Sequence, residues 1–350
     1  MQEKLLKTML IWSVLFSVAS MSAMLYFSAT KTIVIAEEAT PEQTVGGERV
    51  LVGQRNLLQL LKSEIINGLE IPLPSDIRAD DIVIENRYIE NNIRITLNGE
   101  HSAFYETNVL LGNDDIVNGG FFREENGVTR LELQMSGLYE HQYVFENGML
   151  QLSFEKPSEL YERIVVLDAA HGGKDSGDTG NGIWEKDITL EITEKVREKL
   201  KDTDIRVYCT RTDDADISEQ ERAEFANEMS ADFLISVRTG QDKSNEKVFG
   251  IQTFYNGTYF IPYFGNIQLA DLLERNTVKS VGGKANGLFE IPETEVLLQN
   301  AQMPASAIEI GYLTNKEEAG MLLVPEYKDR LADGIASTIK EAFAEIEANS

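Results

Sequence analysis

The chain has 350 residues, with 58 acidic side chains against 32 basic ones and a formal net charge of −26. That length exceeds what one core ordinarily fills, so two or three units are expected. The acidity argues against a nucleic-acid partner, because phosphate binding needs a basic surface. The single cysteine, Cys209, has no partner for an internal disulfide.

Thr8 to Ala29 carries no charge and is mostly apolar. As a helix it would span roughly 33 Å, about the thickness of a bilayer core. Lys4 and Lys7 precede it, which predicts an N-terminus inside the cell and the bulk of the chain outside. A single-pass membrane anchor is therefore expected over residues 1–30. A cleaved signal peptide and a secreted protein are the alternative, with Ser20-Met21-Ser22 as the small-residue site. Residues 31–49 read as a linker, acidic around a Pro and a Gly pair.

From 50 to 157 the pattern is mainly β. Ile93, Ile95 and Leu97 alternate with polar neighbours, as do Leu131, Leu133 and Met135, and Leu150, Leu152 and Phe154. That is the two-residue period of half-buried strands. Asn98-Gly99, Asn126-Gly127 and Asn147-Gly148 suit the positive φ angles of tight hairpins. Arg55 to Asn67 has spacing closer to helical. A small antiparallel sheet or sandwich is expected here.

The pattern changes over 158–350. Ile164 to Leu167 is a continuous apolar run, as in a strand buried on both faces. Ile188, Ile192, Val196 and Leu200 then recur every four residues and predict a helix. A strand over Ile205 to Cys209, a helix around Gln220 to Met229 and a strand over Phe233 to Val237 follow. Further strands are expected over Gly250 to Tyr255 and Ala305 to Ile310. A last helix would put Leu331, Ile335, Ile339 and Phe343 on one face. This alternation predicts an α/β domain with a mixed, largely parallel sheet flanked by helices.

In such sheets chemistry gathers at strand C-terminal ends. After the first strand come Asp168-Ala169-Ala170-His171-Gly172-Gly173, and the glycines would let the backbone approach an ion or substrate. Taken alone, His171 is more often structural than a ligand. Glu185 alone is a helix-entry carboxylate favoured by the dipole. Glu309, inside an apolar run, would be buried at a cost unless paired or functional.

Taken together, these residues resemble the zinc-dependent N-acetylmuramoyl-L-alanine amidases, bacterial cell-wall hydrolases. DAAHGGKDSG at Asp168 to Gly177 matches their first motif apart from Ala170, where a Gly is usual. EKD at Glu185 to Asp187 and IEIGYLTN at Ile308 to Asn315 follow in order. So do TRTDD at Thr210 to Asp214, the helix spacing of Ser218, Arg222, Ala226 and Asn227, and Met303-Pro304 before the last strand. The resemblance covers about Arg163 to Ala344. It implies that His171 and Glu185 are zinc ligands and that Glu309 is the catalytic carboxylate. The metal would activate a water and polarise the amide carbonyl. The carboxylate would take the proton and return it to the departing amine. The bond cut would join N-acetylmuramic acid to the L-alanine of the stem peptide. The β-rich piece resembles, on strand pattern and context alone, domains that bind wall polymer in that family. A spacer without ligand is its other reading.

The third ligand of the resembled family is the His of S-I-H-A-N, and here the run is Ser236-Val237-Arg238-Thr239-Gly240. A guanidinium has no free lone pair and stays charged, so Arg238 cannot ligate zinc. The remaining histidines, His101 and His141, lie in the β-rich piece. Gln299 stands where an Arg is frequent. Two readings follow: an amidase-fold protein without catalysis, which binds wall glycopeptide or regulates a partner hydrolase or wall protein, and an active amidase with an altered metal site. In the first, Arg238 is expected to pair with Glu185 and Glu309 in the metal's place.

Overall fold

The computed structural model describes residues 56–62, 68–112 and 115–349, together with two short paired strands at Thr44–Val45 and Glu48–Arg49. The apolar run Thr8 to Ala29 lies outside the described residues. Among those described, no helix is long and apolar enough to cross a membrane. The chain divides into two units between Phe154 and Glu155.

The first unit is built on two five-stranded sheets. One has the order Asn56–Leu57, Val117–Glu125, Val128–Met135, Asn92–Asn98, Ile82–Arg87, and every pairing in it is antiparallel. The other has the order Glu140–Glu146, Met149–Glu155, Leu69–Pro72, Leu110–Gly112, Leu60–Lys62. The inward sides of the alternating strands share one core, with Ile71, Ile95, Leu97, Leu131 and Leu150 fully buried. Two of the three Asn-Gly pairs make hairpins, with Asn126 and Gly127 at φ 55° and 78° and Asn147 and Gly148 at 53° and 76°. The third does not. Asn98 ends its strand, and the chain turns through Gly99 into a helical turn at Ser102–Tyr105 instead of doubling back. The helical spacing of 55–67 is overridden as well. Asn56–Leu57 and Leu60–Lys62 are strands, each hydrogen-bonded to a sheet edge. Pairing to an existing edge satisfies backbone groups that an isolated short helix would leave open.

The second unit is an α/β layer structure. Its main sheet has six strands, β1 (Ile164–Ala169), β2 (Arg206–Cys209), β3 (Phe233–Gly240), β4 (Ile251–Tyr255), β5 (Ala285–Glu290) and β6 (Ala305–Tyr312). Their order is β2-β1-β3-β6-β4-β5. The first four in that order run parallel, and β4 is antiparallel to β6. The longer helices are α1 (Glu185–Leu200), α2 (Glu219–Glu228), α3 (Asn266–Val281) and α6 (Pro325–Asn349). Between α3 and α6 come two short ones, α4 (Val296–Asn300) and α5 (Lys316–Met321). Alternation sorts each strand's side chains. Val165, Leu167, Ile235, Val237, Ile308 and Ile310 face the core shared with α1, α3 and α6. Asp168, Ser236 and Arg238 face the other side, where α2 packs on α4. The predicted spacing on α1 and α6 is realised: Ile188, Ile192, Val196 and Leu200, and Leu331, Ile335, Ile339 and Phe343, are all buried.

Candidate functional site

The loop after β1 carries the histidine. It is held from below by a polar network that the sequence motifs supply. Asp168, 1% exposed, accepts from Arg222 at 2.8 Å, Ser236 at 2.6 Å and Thr210 at 2.8 Å. Burial disfavours its charge, but Arg222 and the two hydroxyls outweigh it and hold the carboxyl below its ordinary range. Arg222 also donates to the carbonyls of Ala169 and His171. Arg211 donates to the carbonyls of Ala169, Ala170 and Lys186. Lys186 reaches Asp214 at 2.7 Å and the Gly173 carbonyl at 2.9 Å. Thus the TRTDD run and the Arg of α2 shape the histidine loop, while Ser218 caps α2 in a reciprocal bond with Glu221.

His171 itself has a left-handed backbone, φ 61°. Its Nδ1 meets Asp175 at 2.6 Å, and its Nε2 lies 3.3 Å from Glu185 Oε2. Burial opposes an imidazolium, but the bonds and charges of Glu185 and Asp175 prevail and lift His171 to about 9. Glu185, 2% exposed, starts α1. Its carboxylate also accepts backbone N–H bonds from Asp178 at 2.8 Å and Thr239 at 2.7 Å. Gly177 makes this closeness possible. A Cβ there would lie 2.5 Å from His171 Cδ2 and 2.7 Å from Glu185 Oε2.

Across the sheet, Arg238, Glu309 and Gln252 form one row on adjacent strands β3, β6 and β4. Glu309 Oε2 accepts from Gln252 Nε2. Burial, aided by the charges of Glu185 and Asp178, pushes Glu309 up to about 7 against the opposing Gln252 bond and Arg238 charge. Glu309 is thus able to take or give a proton near neutrality. Gly240 keeps the space beside it open, since a Cβ there would lie 2.6 Å from Glu309 Oε2.

Arg238 does not occupy the place expected from the sequence. It bonds neither Glu185 nor Glu309. Its Nη2 donates to Glu295 and its Nε to Ser236 Oγ at 3.1 Å. Strand alternation puts Arg238 on the face of both Ser236 and Glu309, and there the buried N-cap carboxylate of α4, lying over that face, takes the guanidinium in place of Glu309. Burial of Arg238 acts against its charge, but Glu295 prevails and raises its already high pKa.

His171 and Glu185 are therefore brought into contact. Arg238 and Glu309 are sheet neighbours, with the guanidinium turned aside. Asp175, Gln252 and Glu295 join the site as partners that the sequence patterns did not single out. Asp175 lies inside the first motif and was readable there. Gln252 and Glu295 carry no local signal, each meeting its partner across 57 residues of chain.

The donor set does not fit a zinc ion held by three protein groups. His171 and Glu185 offer two ligands. Where the resemblance puts a third ligand stands Arg238, a cation already bonded to Glu295, and among the described residues no group of three or more His, Cys, Asp or Glu is arranged to hold a metal.

A histidine loop and a helix-entry glutamate in contact, with a buried glutamate on β6 that feels the charge of the second, stand at the C-terminal ends of strands in an α/β sheet. The chain belongs to the N-acetylmuramoyl-L-alanine amidase family, whose model matches residues 165–341. These proteins cleave the N-acetylmuramoyl-L-alanine bond of the cell wall. A germination-specific N-acetylmuramoyl-L-alanine amidase of Bacillus subtilis is 31% identical over 222 residues, 59% of this chain and 90% of that protein. A sporulation-specific N-acetylmuramoyl-L-alanine amidase of the same organism is 30% identical over 188 residues, 51% of this chain and 68% of its own. The solved amidase of Clostridium difficile 630 is 33% identical, covering 52% of this chain and 97% of its own, with a TM-score of 0.49.

Proposed function

We propose that this protein engages peptidoglycan through the amidase cleft but lacks the family's zinc-dependent hydrolysis. The carrying observation is Arg238, a permanent cation at the third-ligand position, fastened to Glu295 and Ser236. A guanidinium offers no lone pair to a metal, and its charge repels one. The role that follows is binding of wall glycopeptide, or regulation of a partner hydrolase or wall protein, outside the cytoplasm and tethered by residues 8–29. One observation favours the rival reading, an active amidase with an altered metal site: His171 Nε2 and Glu185 Oε2 still converge, 3.3 Å apart.

The test combines sedimentation with purified peptidoglycan, metal analysis and release of stem peptide. The full-length protein should sediment with the polymer, carry no stoichiometric zinc and release no peptide. Arg238→His should gain zinc, because it restores an imidazole at the third-ligand position. Arg238→Ala should gain none. By stranding the buried Glu295 it should also lose about 3 kcal/mol or more of stability. Stoichiometric zinc together with stem-peptide release by the wild type would establish the rival reading.

A further inference from the structure

The row that carries Glu309 continues into an open aromatic surface. Two residues along β4 from Gln252, on the same face, stands Phe254, and its sheet neighbour on β5 is Phe289. Their ring centroids are 5.9 Å apart. Two residues of strand put this pair roughly 7 Å along the sheet from the Glu309 row. Between them Gly287, beside Gln252, contributes no side chain, and a Cβ added there would meet nothing within 4 Å. Phe289 is 44% exposed. The opposite face of β4 and β5 is packed against α3. On the face of Glu309, a floor of glycine and two aromatic rings tilted 36° to each other thus leads away from the Glu309 row, with Phe254 partly and Phe289 openly exposed.

We propose that Phe254 and Phe289 form a stacking platform for a sugar ring of the glycan strand, within one or two sugars of the muramic residue at Glu309. The proposal deepens the peptidoglycan-binding reading above and rests on it. The peptidoglycan ligand has two arms, a near-neutral glycan and a peptide bearing free carboxylates. Flat aromatic faces suit the apolar faces of sugar rings. The charges point to the same arm. Glu290, next to Phe289 in β5 but on its other face, and Glu293 beyond the strand end are exposed, and the nearby cation Arg238 is already bonded to Glu295. An acidic peptide laid here would meet like charge, whereas a neutral glycan would not.

The test titrates the full-length protein with a neutral tetramer of β-1,4-linked N-acetylglucosamine, and separately with an acidic stem pentapeptide. The tetramer should bind the wild type, and Phe289→Ala should weaken it about two- to tenfold. Phe289→Tyr keeps the ring and should bind as the wild type does, which separates loss of stacking from loss of fold. The pentapeptide should not compete with the tetramer. Equal tetramer affinity of Phe289→Ala and wild type, or displacement by the pentapeptide, overturns the platform while sedimentation with peptidoglycan leaves the cleft reading standing. A wild type that neither sediments with peptidoglycan nor binds the tetramer overturns both.

Discussion

Glu309 shows how the site's chemistry arises from a single buried position. Its neighbours in β6, Ile308 and Ile310, are fully buried, and burial is the main cause of its rise from the ordinary 4.5 to about 7. A carboxyl whose folded value is raised favours the fold in its neutral form. That contribution is complete below the unfolded value and is lost as pH climbs through about 7. Between pH 5 and 8, wild-type stability should therefore fall by up to about 3 kcal/mol relative to Glu309→Gln, since a tenfold change in proton affinity is worth roughly 1.4 kcal/mol. Denaturant titrations of both proteins at the two pH values read this difference directly, and other titrating groups cancel. Parallel pH profiles would show that Glu309 is not perturbed. His171 moves the other way in its charge: its imidazolium is stabilised by Glu185 and Asp175 in spite of burial.

Among the elements, α3 and α6 cross at close range. Gly334 of α6 sits over the backbone of α3, where a Cβ would come within 2.5 Å of Thr277 Cα and 3.1 Å of Asn276 O. Helix propensity alone would make Gly334→Ala stabilising by about 1 kcal/mol. Overpacking against backbone, which cannot swing aside as a side chain can, costs about 1–3 kcal/mol. The second effect wins, so Gly334→Ala should lower the thermal midpoint. A raised midpoint would mean that the two helices separate freely. The same crossing matters for the site, because α3 also supports β4, the strand that carries Gln252 and Phe254.

At the scale of the whole molecule, we propose a membrane tether. The charge-free run Thr8 to Ala29, behind Lys4 and Lys7, predicts that the protein stays in the membrane fraction after a carbonate wash. Recovery of a soluble form beginning near Ala23 would show cleavage and secretion instead.

The α/β fold of the second unit and its family were legible because periodicity and motif order are local. The buried stripe of α1, the apolar run of β1 and the motifs around His171, Glu185 and Glu309 can each be read within a short window. So could the chemical unfitness of Arg238 as a ligand, since it follows from the guanidinium itself. Helix α3 and strand β5 went unread. The apolar positions of α3 are interrupted by buried Asn266, Glu274 and Thr277, and β5 is half exposed. What Arg238 binds was decided by tertiary structure alone. Strand alternation selects its face, and the fold of a segment 57 residues away lays Glu295 over it. The same holds for Gln252 against Glu309 and for Phe254 beside Phe289. These pairs exist only once β4 has joined the sheet antiparallel to β6 and parallel to β5, because register across strands is set by packing and turn geometry far from the residues it brings together.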